Sequence, residues 1–211
     1  GLQRTYPNWV AREGSRGMEY NAWGDKNPPE HEANLVFTRM IEGPMDFTPG
    51  VLSLKGQNDS DILSTIAKQL ALYVVIYSPV TMAADTPENY AKYPAAFKFI
   101  RDVPTDWQDT RVLGGEVGDY VAIARKARGG QDWYLGAVGD EAARTVTVRL
   151  DFLDPGKRYV AEIYRDGDDA DYRTAKRHSI VIEKRNLAST NTLTLQLAPG
   201  GGAAIRFHPS K

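Results

Sequence analysis

The hydrophobic period changes once along this chain, and that change limits the folds open to it. Up to about residue 104 apolar residues recur at helical spacing; from about residue 119 they alternate. A repeat of 3.6 residues lines one face of a helix, and a repeat of two lines one face of a strand. The chain therefore divides within residues 104–118, into a helix-rich part, 1–105, and a strand-rich part, 106–211.

In the first part, Ala33, Val36, Phe37, Met40 and Ile41 predict one amphipathic helix that Gly43-Pro44 ends. An irregular stretch runs from Met45 to Gly56. The spacing then predicts a helix from an N-cap at Ser60 to about Tyr77, with Ile62, Ile66, Leu70, Tyr73, Val74 and Tyr77 on one face. Its second half is apolar nearly all round and should be well buried. Thr86-Pro87 reads as N-cap and first residue of a third helix, bent or interrupted at Pro94 and ended before Val103-Pro104. In the second part seven strands are predicted: Tyr120–Ala124, Trp133–Val138, Thr145–Phe152, Tyr159–Tyr164, Ser179–Glu183, Thr192–Leu197 and Ala203–Phe207. Turns fall at Gly129-Gly130, Asp154-Pro155-Gly156 and Gly200-Gly201-Gly202. Alternation at this spacing predicts an antiparallel sandwich with one face of each sheet buried.

Charge excludes some partners. The chain has 211 residues, 26 basic and 27 acidic, for a net charge of -1. That balance argues against nucleic-acid steering and against binding an anionic membrane surface. No apolar run reaches the roughly 18 residues that a membrane-spanning helix needs, so no membrane insertion is expected. Cysteine is absent, which removes disulfides, thiol nucleophiles and thiolate metal sites.

The chemistry-bearing residues concentrate near the start. Glu13 and Glu19 stand six residues apart, separated by Gly14 and Gly17, with Arg12, Arg16, Tyr6, Trp9, Tyr20 and Trp23 around them. In an extended strand six residues span about 20 Å, so one site requires the chain to fold back, which the glycines permit. Carboxyl pairs of this kind do acid/base work on sugars or hold a hard cation, and sugars stack on aromatic rings. The competing reading is a loop of surface ion pairs with Arg12 and Arg16 as partners, and ordinary core positions for at least half of the rings. Glu30-His31-Glu32 offers too few nitrogen donors for zinc, and an oxygen-liganded ion such as Ca2+ suits this chain better. His178 and His208 read as surface residues. Asp46, in a Pro/Gly-rich loop, is a candidate contact for a substrate hydroxyl, or simply a turn former. Asp166, Asp168, Asp169 and Asp171 lack the calcium-loop pattern and read as a solvated turn. No phosphate-binding glycine motif and no Ser-His-Asp arrangement is present.

These stretches together are similar to one family. Gly1-Leu2-Gln3-Arg4-Thr5-Tyr6-Pro7-Asn8, Arg12-Glu13-Gly14, Gly17-Met18-Glu19-Tyr20-Asn21 and Asn27-Pro28-Pro29-Glu30-His31 resemble glycoside hydrolase family 97. The resemblance continues through Phe37-Thr38-Arg39-Met40, Gly43-Pro44-Met45-Asp46-Phe47-Thr48-Pro49-Gly50, Gln69-Leu70-Ala71-Leu72-Tyr73-Val74-Val75 and Asp102-Val103-Pro104-Thr105-Asp106-Trp107. It covers essentially the whole chain.

The resemblance implies an exo-acting, calcium-dependent α-glycosidase, chiefly an α-glucosidase or α-galactosidase. The implied fold is the last part of a (β/α)8 barrel, residues 1–105, followed by a small antiparallel β-sandwich, residues 106–211. Glu19 matches the family's general acid and Glu13 a glutamate ligand of the calcium. Glu30 and His31 fit the motif, with substrate contact or loop anchoring as their roles. An oligosaccharide or α-glycoside is the implied substrate, and a periplasmic or secreted location is implied for a full-length parent. A barrel usually takes about 250 residues, so an N-terminal half is expected to be missing here, and the partner carboxylate of Glu19 with it. That partner would lie about 6.5–9.5 Å from Glu19 in an inverting enzyme and about 5–5.5 Å in a retaining one, so neither the stereochemical outcome nor the sugar preference is legible. The chain alone is accordingly expected to be inactive. The alternative is a non-catalytic carbohydrate-binding or scaffolding fragment, and a separate chain bearing the missing half is a further candidate partner.

Overall fold

Alternating side chains in the second part of the chain divide between two cores. The computed structural model describes residues 5–210. Gly1 to Arg4, the start of the N-terminal motif, lie outside the described residues, as does Lys211. Strands β1 (Trp107–Glu116), β2 (Tyr120–Ala127), β3 (Trp133–Gly139), β5 (Arg158–Asp166), β6 (Ile180–Ala188) and β8 (Gly202–Pro209) form one antiparallel sheet in the order β1-β2-β3-β8-β5-β6. Strands β4 (Arg144–Arg149) and β7 (Thr192–Leu197) pair as a second, two-stranded sheet. Leu135, Ala161, Ile163, Ile205 and Phe207 of the large sheet pack against Val146, Val148, Leu193, Leu195 and Leu197 of the small one. This is the expected antiparallel sandwich.

The large sheet is also covered on its other face. Val121, Ile123, Tyr134, Val138, Tyr164 and Ala204 point away from the sandwich interior into a core shared with the helices. Those helices are α1 (Glu30–Leu35), α2 (Ile66–Val75), α3 (Pro87–Lys92) and α4 (Pro94–Asp102). All ten residues of α2 are buried. It reaches the sheet where there are no side chains to hold it off. A Cβ on Gly136 would lie 2.6 Å from the Ala71 carbonyl, and one on Gly202 2.8 Å from the Lys68 Cα. A strand buried on both faces has no polar side to display, and β3 is buried along its whole length.

Burying α2 entirely forces its polar residues to find partners. Lys68 is fully buried and forms an ion pair with Glu32 of α1 at 3.0 Å. Its Nζ also donates to the carbonyls of Pro29 at 2.5 Å and Gly139 at 3.0 Å. This single ammonium thus joins α1, α2 and the end of β3. Thr65, the N-cap of α2, accepts from Lys68 N and donates to Asp166 at 2.6 Å. The sequence pattern puts Asp166 in a solvated turn, but the residue is buried. Its second oxygen accepts from the backbone N–H groups of Ala198 and Gly202. Asp168 and Asp169 are exposed as expected.

Several elements differ from the periodicity. The first predicted helix stops at Leu35 and resumes only as a 3-10 turn, Arg39–Glu42. Thr38 leaves helical geometry and donates its hydroxyl to the Asn34 carbonyl, and Ile41 is exposed. The second helix begins after Thr65 rather than Ser60, although Ile62 is buried ahead of it. Strand β1 is not among the seven predicted strands. It is an edge strand, mostly exposed or half-buried, so it carries no alternating signal. Residues 5–105 form no sheet. They contain two isolated bridges, Arg12 with Met45 (parallel) and Lys55 with Asp61 (antiparallel), and no barrel is visible among the described residues.

Candidate active site

The turn that carries Glu19 is braced by two buried amides. Met18–Ala22 is a 3-10 helix with Glu19 in its first turn. Asn21 Nδ2 donates to the Met18 carbonyl at 2.8 Å, and Asn21 Oδ1 accepts from Asn27 N at 3.0 Å. Asn27 Nδ2 then donates to the Gly17 carbonyl at 2.8 Å. The loop from Gly17 to Asn27 is thereby closed on itself. Gly17 leaves no room for a side chain: a Cβ there would lie 2.4 Å from Glu19 Oε2 and 2.8 Å from Thr48 Oγ1.

Glu19 is half-buried and is held by Thr48, whose hydroxyl donates to Glu19 Oε2 at 2.6 Å. The same hydroxyl oxygen accepts from Met18 N at 2.7 Å. Thr48 is fixed in turn by α2, where buried Gln69 accepts through Oε1 from the N–H groups of Gly50 and Val51 at 3.1 and 3.2 Å. Its Nε2 donates to Ser64 Oγ at 3.0 Å. Gly50 takes φ +85, and its missing Cβ is where the Tyr73 hydroxyl sits.

Glu13 and Glu19 meet at one cavity of about 410 Å³, also lined by Arg16, Tyr20 and Trp23. Gly14, at φ +74, turns the chain between them. Glu19 also reaches the wall of a second cavity, about 540 Å³, whose far side includes Lys55, Asp85 and Asn89. The loop beside that cavity is tied to the sandwich. Arg177 and Lys55 pair with Asp61 at 2.8 and 3.0 Å and hold its carboxyl well below the usual range, and His178 Nε2 lies 3.1 Å from the Ser53 carbonyl. His178 is therefore half-buried between the two parts rather than a free surface residue.

The other expected site residues, Glu30, His31 and Asp46, line neither cavity. His31 Nε2 lies 2.9 Å from the Arg16 carbonyl, where it anchors the loop. The Glu30 backbone N–H donates to Glu141 at 3.3 Å, and the residue is exposed. Asp46 is held through its backbone N–H, which donates to the Arg12 carbonyl at 2.8 Å, and it lines neither cavity. The ion pairs expected from Arg12 and Arg16 also go elsewhere. Arg12 pairs with Glu42 at 2.6 Å, and the Arg16 guanidinium lies over the Tyr20 ring at 4.8 Å. The rings are not core: Tyr6, Trp9 and Trp23 are exposed and Tyr20 is half-buried. They pair with one another, Tyr6 with Trp9 and, at the cavity that Glu13 and Glu19 line, Tyr20 with Trp23.

Arg39, to which the Phe37-Thr38-Arg39-Met40 motif assigns no role, holds the backbone under Glu13. It donates to the carbonyls of Arg12 at 2.6 Å, Glu13 at 2.7 Å and Pro44 at 3.1 Å. Burial and the neighbouring Arg12 lower its pKa. Calcium takes six to eight oxygen ligands. Among the described residues no group of three His, Cys, Asp or Glu could hold a metal ion, so these residues do not by themselves make a calcium site. No described helix is long and apolar enough to cross a membrane.

The family model described as "Glycosyl-hydrolase 97 C-terminal, oligomerisation" matches residues 106–208. A relative from Bacteroides thetaiotaomicron named a retaining alpha-galactosidase is 37% identical, over 98% of this chain and 32% of its own length. A variant of a glycoside hydrolase family 97 enzyme from Pseudoalteromonas sp. strain K8 superposes with a TM-score of 0.95 at 55% identity, over 100% of this chain and 33% of that one. An enzyme of that family from the same strain, in complex with acarbose, superposes with a TM-score of 0.94 over the same shares. The chain thus spans about a third of the length of the relatives it matches. These relatives align across the helical part as well as the sandwich, so the likeness to glycoside hydrolase family 97 enzymes covers the whole chain, and residues 106–208 match the model of that family's C-terminal domain.

Proposed function

We propose that this chain is the C-terminal part of an exo-acting α-glycosidase that removes a terminal α-linked glucose or galactose, with Glu19 as its general acid. The observation that carries the reading is the Glu19 carboxylate, clamped by Thr48 and lining one cavity with Glu13. It stands in a chain alignable end to end with family 97 enzymes, one in complex with acarbose and another with panose. The name of the Bacteroides relative supports galactose as one of the two sugars.

The placement of the acid also supports a barrel origin for residues 1–105. Barrel strands are parallel, joined through helices, and carry their catalytic groups just beyond their C-terminal ends. The parallel bridge joins Arg12 to Met45, with α1 between them in sequence. Glu13 and Glu19 follow the first bridged residue and Thr48 the second. Glu13 contributes one carboxylate to a calcium site whose other ligands, like the second catalytic carboxylate, come from outside this chain.

The experiment is sugar release by the intact polypeptide that carries this segment. An α-1,6-linked galactosyl disaccharide or an α-1,4-linked glucosyl disaccharide should be cleaved to free hexose. Cleavage of neither, by protein shown to be folded and supplied with calcium, would overturn the reading.

A further inference from the structure

We propose that Thr48 is a positioning residue that fixes which oxygen of Glu19 carries the proton given to the leaving group. The proposal rests on Glu19 being the general acid. A threonine hydroxyl has one proton to donate. Met18 N–H points at Thr48 Oγ1, so that oxygen accepts there, and its own proton is directed to Glu19 Oε2. Oε2 is therefore engaged as an acceptor in both charge states of the acid, and the transferable proton resides on Oε1. During cleavage that proton moves from Oε1 to the glycosidic oxygen. The anomeric C–O bond breaks with its electron pair going to the departing oxygen, while the second carboxylate attacks the anomeric carbon or takes a proton from the water that does. Glu19 is left as a carboxylate with the Thr48 bond still made.

Two further features hold this arrangement in one state. Gly17 leaves the Glu19–Thr48 pair space that any Cβ would invade. Gln69, fully buried on α2, grips the Gly50 and Val51 N–H groups just beyond Thr48. The hydroxyl thus sits between two anchored segments, and its direction does not depend on solvent.

A group that positions an acid should matter only where protonation of the leaving group matters. The test compares Thr48→Val with the parent, in the intact polypeptide, on an α-linked disaccharide and on a dinitrophenyl α-glycoside, whose leaving group departs without a proton. Thr48→Val should lower kcat on the disaccharide about 10–100-fold, as expected for one hydrogen bond to a charged group, and change the dinitrophenyl glycoside less than about twofold. Thr48→Ser should restore the disaccharide rate. Equal losses on both substrates, or none on either, would overturn the proposal; retained dinitrophenyl turnover also shows that the variant is folded. Glu19→Gln separates the two ideas. If it spares only the dinitrophenyl glycoside while Thr48→Val does not, Thr48 fails alone. If Glu19→Gln leaves disaccharide turnover intact, the acid assignment fails and the Thr48 proposal falls with it.

Discussion

Asp166 ends β5 with its carboxylate away from water, and burial pushes its pKa up to about 6 against the hydrogen bonds from Thr65, Ala198 and Gly202. The folded-state value lies above the ordinary 3.8, so this group favours the fold fully below pH 4, and that contribution is lost as pH rises through 6. Asp166→Asn keeps the shape and offers an oxygen to the two backbone N–H groups, without a charge to bury. Unfolding free energies from denaturant titrations at pH 4 and pH 7 should show the variant gaining on the parent by roughly 2 kcal/mol between them. A difference that does not change with pH would contradict this account of the carboxylate. In sequence Asp166 looks like Asp168 and Asp169, because acid spacing does not report which carboxylate a strand carries inward. Thr48 is similarly overshadowed by Asp46. Its importance comes from a contact with Glu19 that local pattern cannot display.

At the scale of elements, α2 is the piece on which both parts depend. Its polar anchors make a specific prediction. Lys68→Met removes the partner of buried Glu32 and the donor to the Pro29 and Gly139 carbonyls. The unpaired buried carboxylate should cost about 3–5 kcal/mol. Adding Glu32→Leu should recover much of that loss. Urea unfolding reads both, and a Lys68→Met effect within about 0.5 kcal/mol, the range of an ordinary surface change, would show that the pair carries no such role. Elements with strong local signals are legible in the sequence alone. Thr86 and Pro87 open α3 as predicted, Pro94 divides it from α4, and β4 and β7 alternate as read. Elements decided by tertiary contacts are not. The helix from Ala33 stops at Leu35, while Arg39 beyond it donates to the carbonyls of Arg12 and Glu13, and β1 lies at an edge where little is buried.

At the scale of the whole molecule, the sandwich and the helical part share a core, so the loops holding Glu19 rest on the face of the large sheet through α2. The position of Glu19 is thereby set both by distant residues, Gln69 and Thr48, and by the local Asn21–Asn27 brace. The family resemblance is readable in the motifs because each matching stretch is a short run. The division of labour proposed for Glu13 and Glu19 is readable only through that resemblance, since spacing alone suits a surface loop. The most direct measurement of the central claim is kcat on an α-linked disaccharide for the intact polypeptide with Glu19→Gln. Loss of the general acid should lower it about 10²–10⁴-fold in protein that remains folded; turnover within about twofold of the parent would contradict the assignment of Glu19 as the proton donor.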